Sequence, residues 1–293
     1  MTDASAPPWR ATLLVLLAAC GFGSISVLLV IGARRGLTLT PTMAWRYGLA
    51  APCMMLVAGR ELRAATPRRI AALLVIGGLG QVAISATSLS ALRWLDVATL
   101  GFLFYTYPAW VTLFSAVRGL ERISGRKLVA LALALGGIAV IVGAPRASAL
   151  PMPGVLLALG SAVLYALYIP VLHRMRGPLT AAAASAYVIA GAGAAFMIAA
   201  AWMGTLHVSL PAESWGVIAA LALACTVMPF IAFLNGLARL GAVRTAIIST
   251  FEPFFTTVLG AIVLGQRAGP GTVAGGVLIA AAVLLLQREP SST

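Results

Sequence analysis

The stretch TFEPFF, Thr250 to Phe255, sets an acid directly before a proline in the middle of a long apolar run. An ionised Glu at mid-bilayer costs a few kcal/mol, so Glu252 must face protein or water, be paired, or carry a proton. Two kinds of work suit it. It is either a proton carrier or hook for a solute amino group, or a hydrogen-bond acceptor that holds a bend. Pro253 supplies the bend, because it lacks an N–H and its ring clashes with the carbonyl of Ser249 four residues earlier. Arg46, in LTPTMAWRYGLA, is the other strong charge inside an apolar run. It either clamps a solute carboxylate, or reaches polar surroundings by snorkelling or by binding carbonyls at helix ends. The estimated depths of Arg46 and Glu252 differ by roughly 8 Å, so a direct bridge between them is strained.

Aromatic and amide side chains surround these charges in the sequence. GFLFYTYP, Gly101 to Pro108, places Phe102 and Tyr105 on one helical face and Leu103 and Tyr107 on another. Tyr165 and Tyr168 repeat the spacing of three. Such rings suit a flat or apolar solute and attract a cation through their quadrupoles, or else simply pack between helices. Gln81, Ser85 and Ser88 form a polar stripe, loosely matched by Thr226 and Asn235. Serines of this kind are by default helix glue, whereas the larger Gln81 is a cavity candidate.

These residues need elements to hold them. The chain has 293 residues, 61% hydrophobic and 9% charged, with mean hydropathy +1.02. That excludes a water-soluble surface and indicates apolar helices of about 20 residues. Ten spans are predicted: Ala11 to Ile31, Pro41 to Ala58, Ile70 to Ala91, Val97 to Val117, Leu128 to Gly143, Gly154 to Leu172, Leu179 to Met203, Trp215 to Leu237, Val243 to Leu264 and Gly271 to Gln287. LLAAC, Leu16 to Cys20, resembles a lipoprotein cleavage box, but the apolar run continues beyond it and reads as an uncleaved first span.

The net charge of +13 reads as a topology signal rather than as affinity for nucleic acid. With the N-terminus cytoplasmic, fourteen of the 20 basic residues fall on that side, including Arg10, Arg60, Arg118, Arg174, Arg239 and Arg288. Five fall on the other: Arg34, Arg35, Arg93, Arg146 and Arg267. Both termini are therefore expected in the cytoplasm.

A shift of 145 positions lays the fourth span on the ninth: Leu92 on Leu237, Pro108 on Pro253, Thr112 on Thr257, Arg122 on Arg267. A shift of 143 lays the first on the sixth, with Phe22 on Tyr165. Five spans per half is an odd number, so the halves, 1–145 and 150–293, enter the membrane from opposite faces. Inverted repeats place a solute site near the midplane and expose it alternately to each side.

LTPTMAWRYGLA (Leu39 to Ala50), LERISGRKLVALALALGGIAVIV (Leu120 to Val142) and STFEPFFTTVLGAIVLGQRAGPGTVAGGVLIAAAVLLL (Ser249 to Leu286) together resemble the EamA-type branch of the drug/metabolite transporter superfamily. The resemblance implies an all-α, ten-helix carrier of the inner membrane, with two inverted five-helix halves around a central cavity. It moves small metabolites, usually outward. Arg46 then stands at the family's second-span arginine, Glu121 at the acid ending the fourth span, and Glu252 and Pro253 at the Glu-Pro pair of the ninth. Three departures stand out. Gln266 replaces an acid, Ala183 and Ala184 lie where a second arginine would complete the symmetry, and Phe22 replaces the first-span tryptophan.

The candidate solute-binding set is Phe22, Gln81, Phe102, Tyr105, Tyr165, Tyr168, Thr226 and Glu252; Arg46, Pro108, Glu252 and Pro253 are the coupling and structural set. Cys20, Cys53 and Cys225 are three in number and far apart, and His173 and His207 lie alone in loops, so neither a disulfide framework, a metal site nor a cofactor is indicated. Clustered nucleophiles and acid–base pairs are likewise missing from the sequence, which disfavours an enzyme. Phosphorylated sugars would need several cations, and the spans hold one. The expected activity is export of small metabolites, preferably neutral or aromatic amino acids, with or without proton coupling, by a monomer or homodimer. A lipophilic-cation exporter using Glu252 as countercharge and a non-transporting membrane scaffold are the competing readings. Gly271 and Gly275 have the small-xxx-small spacing of scaffold or dimer contacts.

Overall fold

Backbone amides inside a bilayer find no water, so a chain this apolar satisfies them in helices. The computed structural model describes residues 8–91, 93–95, 97–120, 122–142, 151–206, 209–265 and 269–287. Leu92, Glu121, Gly143, Arg146, His207, Gln266, Arg267 and Arg288 lie outside the described residues. The first two spans are single helices, α1 (Pro8–Arg34) and α2 (Leu39–Ala58). The third comprises α3 (Pro67–Ala72), a π-helical turn (Leu73–Gly77) and α4 (Gly78–Ala91). The fourth is broken into α5 (Val97–Phe104) and α6 (Tyr107–Val117), and α7 (Gly125–Val142) ends the first half.

The second half runs the same way. It consists of α8 (Met152–Arg176), α9 (Ala181–Trp202), α10 (Ala212–Ala222) with a π turn (Leu223–Val227) and α11 (Met228–Leu240), then the broken pair α12 (Ala242–Ser249) and α13 (Phe251–Leu264), and α14 (Pro270–Gln287). Among the described residues, eight helical segments are long and apolar enough to cross a membrane. The 20-residue α2, interrupted by Arg46, and the 18-residue α7 complete ten spans. Leu56, Val117, Ile262 and Trp202, each more than three-quarters exposed, belong to the face turned to lipid. The sixth helix extends through Arg176, so His173 stands in its last turn rather than in a loop.

Packing repeats with the halves exchanged. The first span, α1, packs on α11 and α13 of the eighth and ninth, and the sixth, α8, packs on α4 and α6 of the third and fourth. Equivalent spans pair directly across the pseudo-axis, α2 with α9 and α7 with α14. The glycines expected to mediate close packing do so within this last pair. A Cβ at Gly271 would stand 2.7 Å from the Val140 carbonyl, and one at Gly275 would collide with the Gly137 carbonyl.

Proline explains both broken spans. Its ring excludes the carbonyl four residues earlier from the helix, and α5 and α12 end at those residues, Phe104 for Pro108 and Ser249 for Pro253. The expected kink is therefore a full break, stitched the same way in both halves. Thr106 donates to the Leu103 carbonyl and Thr250 to that of Ile247, each at 2.6 Å. Just past the prolines, Thr112 donates to Pro108 and Thr257 to Pro253, each at 2.8 Å.

The π turn of the third span has a different support. It lies against α9 at glycines: a Cβ on Gly78 would sit 2.6 Å from Gly191, and one on Gly191 would strike the Leu74 carbonyl. Backbone cannot yield as a flexible side chain does. Gly191→Ala is expected to destabilise by about 3 kcal/mol, measured by thermal unfolding in detergent. Gly160→Ala, whose added methyl meets nothing within 4 Å, should change stability little.

Candidate functional site

Both breaks border one cavity of about 240 Å³, at Phe104 and at Glu252. Its lining reaches from Leu29, Leu39 and Ser88, near the end of the bundle that carries the α1–α2 connection, to Phe104, Tyr165 and Glu252 at the breaks. An adjoining cleft of about 230 Å³ shares Leu29 and Leu39 with it. Three walls differ in chemistry. Phe22, Ile25 and Phe230 make an apolar one, Arg46, Tyr47 and Gln81 a polar one, and Glu252 with Phe104 and Tyr165 an acidic, aromatic floor.

Glu252 lies in the first turn of α13. The Tyr105 hydroxyl lies beside its carboxyl group. Tyr107 donates across the seam to the Ala246 carbonyl at 3.4 Å, and its ring stands 4.8 Å from that of Tyr165, which in turn stacks on Phe104 at 5.6 Å. On the other side, Thr256 donates to the Gly23 carbonyl at 2.9 Å, which seats α1 on the break and brings Phe22 into the cavity. Phe22 meets Phe230 edge-on at 5.5 Å.

The threonine stitches show where the halves differ. Leu103 and Thr106 correspond to Ile247 and Thr250 at a shift of 144. Pro108 and Thr112 correspond to Pro253 and Thr257 at 145. The second break thus holds one residue more between threonine and proline, and Glu252 lies in that segment.

Arg46 is 4% exposed and held by the π turn of the eighth span. Pro229 has no N–H for the Cys225 carbonyl four residues before it, and Arg46 Nη2 supplies the missing donor at 3.0 Å. Arg46 Nε donates to Thr226 Oγ1 at 2.7 Å, and that hydroxyl donates in turn to the Leu221 carbonyl at 2.8 Å. Arg46 Nη1 approaches Met43 Sδ at 3.7 Å, and the guanidinium lies 5.0 Å from the centre of the Tyr47 ring. Arg46 is thereby tied to the eighth span rather than to Glu252, the carbonyl-binding alternative of the sequence reading.

Phe22, Gln81, Tyr165, Arg46 and Glu252 line the cavity together. Tyr105 stands behind Glu252, and Thr226 is fully buried behind Arg46. Phe102 sits on α5 outside the lining, and Pro108 and Pro253 are buried at the breaks. Tyr168 is elsewhere: its hydroxyl donates to Gly77, a carbonyl of the third-span π turn, at 2.9 Å.

Sequence reasoning missed Tyr47, which accepts from Gln81 at 3.2 Å and stacks on Phe196 at 5.4 Å. It also missed Phe104, Met43, Phe230 and Pro229. The Pro229 signal was present, since a mid-span proline always releases one carbonyl. Which side chain would meet that carbonyl was not. Tyr168→Phe removes the Gly77 donor and should cost about 1–2 kcal/mol in thermal stability, without changing solute affinity, because the hydroxyl faces a helix turn and not the cavity.

Both halves of the chain match the EamA-like transporter family, over residues 9–143 and 152–288. A protein of Bacillus subtilis (strain 168) named uncharacterized transporter YcbK is 32% identical over 174 residues, 57% of this chain and 56% of that protein; the matched stretch thus spans little more than half the length of that relative. A crystal structure 20% identical in sequence superposes with a TM-score of 0.73 over 94% of this chain and 95% of its own, a likeness of fold. With two inverted five-helix halves around a cavity and a family match across each, the chain belongs to the EamA-like transporter family, as a multi-pass membrane protein.

Proposed function

We propose that the protein exports small organic metabolites, preferably neutral or aromatic amino acids, across the bacterial inner membrane by alternating access. The observation that carries this reading is the make-up of the cavity: one acid, one guanidinium and an aromatic wall around a single space. Glu252 takes the ammonium group, Arg46 lies on the wall that faces the carboxylate, and Phe22 and Phe230 take an apolar side group. A volume of about 240 Å³ falls below the roughly 300–1,000 Å³ of drug-sized sites, which suits a small metabolite. The repeat units 1–145 and 150–293 rock against each other about the broken fourth and ninth spans.

The excess of basic residues on the side of the N-terminus supports cytoplasmic termini. The cavity then reaches toward the external face, since its mouth residues Leu29, Leu39 and Ser88 lie at the opposite end from the N-terminus. A reporter active only outside the cell, fused after Thr293, is expected to stay silent.

A second reading, export of lipophilic cations with Glu252 as countercharge, draws support from the Phe104 and Tyr165 rings beside the acid. Proteoliposomes separate the two. Labelled phenylalanine should show counterflow and a cationic dye should not, with and without a pH gradient. Uptake of the dye alone would establish the second reading, and no counterflow of any solute in sealed vesicles would favour a scaffold. Glu252→Gln removes the ammonium's countercharge while keeping shape. It is expected to weaken phenylalanine binding about tenfold or more, read as Kd by equilibrium binding in detergent. Unchanged affinity would leave Glu252 only the role of holding the break.

A further inference from the structure

The contact between Arg46 and the eighth-span π turn joins the first half to the second at the cavity wall. Three of the five guanidinium N–H groups are committed, to Thr226, Cys225 and Met43. The oxygens they meet, a hydroxyl and a carbonyl on consecutive residues, take the place that the two oxygens of a carboxylate take in a forked pair with arginine. Arg46, the anion-binding group of the cavity wall, therefore already has an occupant on its buried side, supplied by the second half.

The π turn of the third span provides the contrast. It sits 150 residues earlier, at the equivalent place in the first half. That turn is locked by backbone packing at Gly78 and Gly191 and by the buried Tyr168 hydroxyl. The eighth-span turn also packs on a glycine, since a Cβ on Gly21 of α1 would sit 2.8 Å from the Ala224 carbonyl, but its hold on α2 is the set of polar contacts made by Arg46, which a solute anion can replace. The two turns thus differ in what ties them to the helix of the other half: backbone packing on α9 for the third span, polar contacts with α2 for the eighth.

We infer that Thr226 and the Cys225 carbonyl act as a built-in competitor for the solute carboxylate, so that transport requires a solute carrying both charges. This rests on the reading of Glu252 as the ammonium site. An amino acid held there sets its carboxylate against Arg46, takes the two N–H groups from Thr226 Oγ1 and the Cys225 carbonyl, and frees the eighth span from α2. The halves then move. An amine without a carboxylate occupies the same floor, leaves the contact intact and blocks the cavity without crossing. Thr226 is thus a positioning residue that sets specificity through Arg46, and the class selected is zwitterions over their decarboxylated amines.

The test compares phenylalanine with 2-phenylethylamine in proteoliposomes. In the wild type, counterflow of phenylalanine should exceed that of the amine by about tenfold or more, and the amine should inhibit phenylalanine competitively. Thr226→Val keeps the shape but removes the acceptor from Arg46. It should raise amine counterflow to within about threefold of phenylalanine, and Thr226→Ser, which restores a hydroxyl, should restore the discrimination. A stability defect alone would lower both fluxes together and leave their ratio unchanged, which overturns the inference. Equal fluxes in the wild type overturn it too. Absence of phenylalanine counterflow in the wild type sinks the substrate reading itself, and the inference with it. A second measurement does not depend on the folding of Thr226→Val. In a background without Cys20, Cys53 and Cys225, Ser88→Cys at the cavity mouth should be labelled more slowly by a membrane-impermeant maleimide when phenylalanine is present, and not when the amine is. Equal protection by both solutes would contradict the inference.

Discussion

A backbone carbonyl released inside a bilayer has no water to turn to, and this constraint organises the molecule. Prolines at 108, 229 and 253 each withdraw a donor from the turn before them. Two of the three end a helix, at Phe104 or Ser249, where the hydroxyl of Thr106 or Thr250 ties the neighbouring carbonyl of Leu103 or Ile247. The third is handled at a distance. The Cys225 carbonyl is met by Arg46 from the other half of the chain. Irregular backbone at membrane depth is tolerated where it is buried in protein or lines a cavity, and here it does both.

The two halves share a skeleton but not a charge distribution. Helix packing exchanges cleanly between them, α1 on α11 and α13 against α8 on α4 and α6. The guanidinium on α2 has no counterpart, because Ala183 and Ala184 are buried in α9. The acid on α13 occupies a break one residue longer than its partner. Repeated architecture therefore supplies a common frame, and two local departures from the repeat make the enclosed space dipolar. A symmetric cavity would have no means of orienting a solute with unlike ends.

Arg46 shows how two structural needs can meet in one contact. A buried guanidinium must have its donors met, and a π turn with a proline behind it must have its carbonyl met. Each solves the other's problem without a carboxylate partner. On the inference drawn above, an anionic solute replaces that contact. Glu252 is placed comparably, between a tyrosine hydroxyl and the open cavity.

Much of the fold was readable from composition and spacing, because membrane insertion is a local test: each span passes or fails on its own apolar length. Hence the ten spans, the inverted halves and the bend at Pro253 were all present in the chain as written. The sixth span was read short at its end, since His173 and Arg174 look like loop residues until helix packing carries the backbone past them. The site was legible only in part. Unusual residues such as Glu252, Arg46 and Gln81 announce themselves in apolar sequence, whereas ordinary ones such as Tyr47, Phe104 and Phe230 do not. Periodicity placed Tyr168 with Tyr165, yet a shared face says nothing of what that face meets, and Tyr168 met a helix turn. The sequence alone determined that charges lie within the membrane and that the backbone fails at particular prolines. Only tertiary structure decided which side chain answers each failure, because a released carbonyl is satisfied by whichever donor packing brings within 3 Å, and that donor lies 179 residues away in the chain.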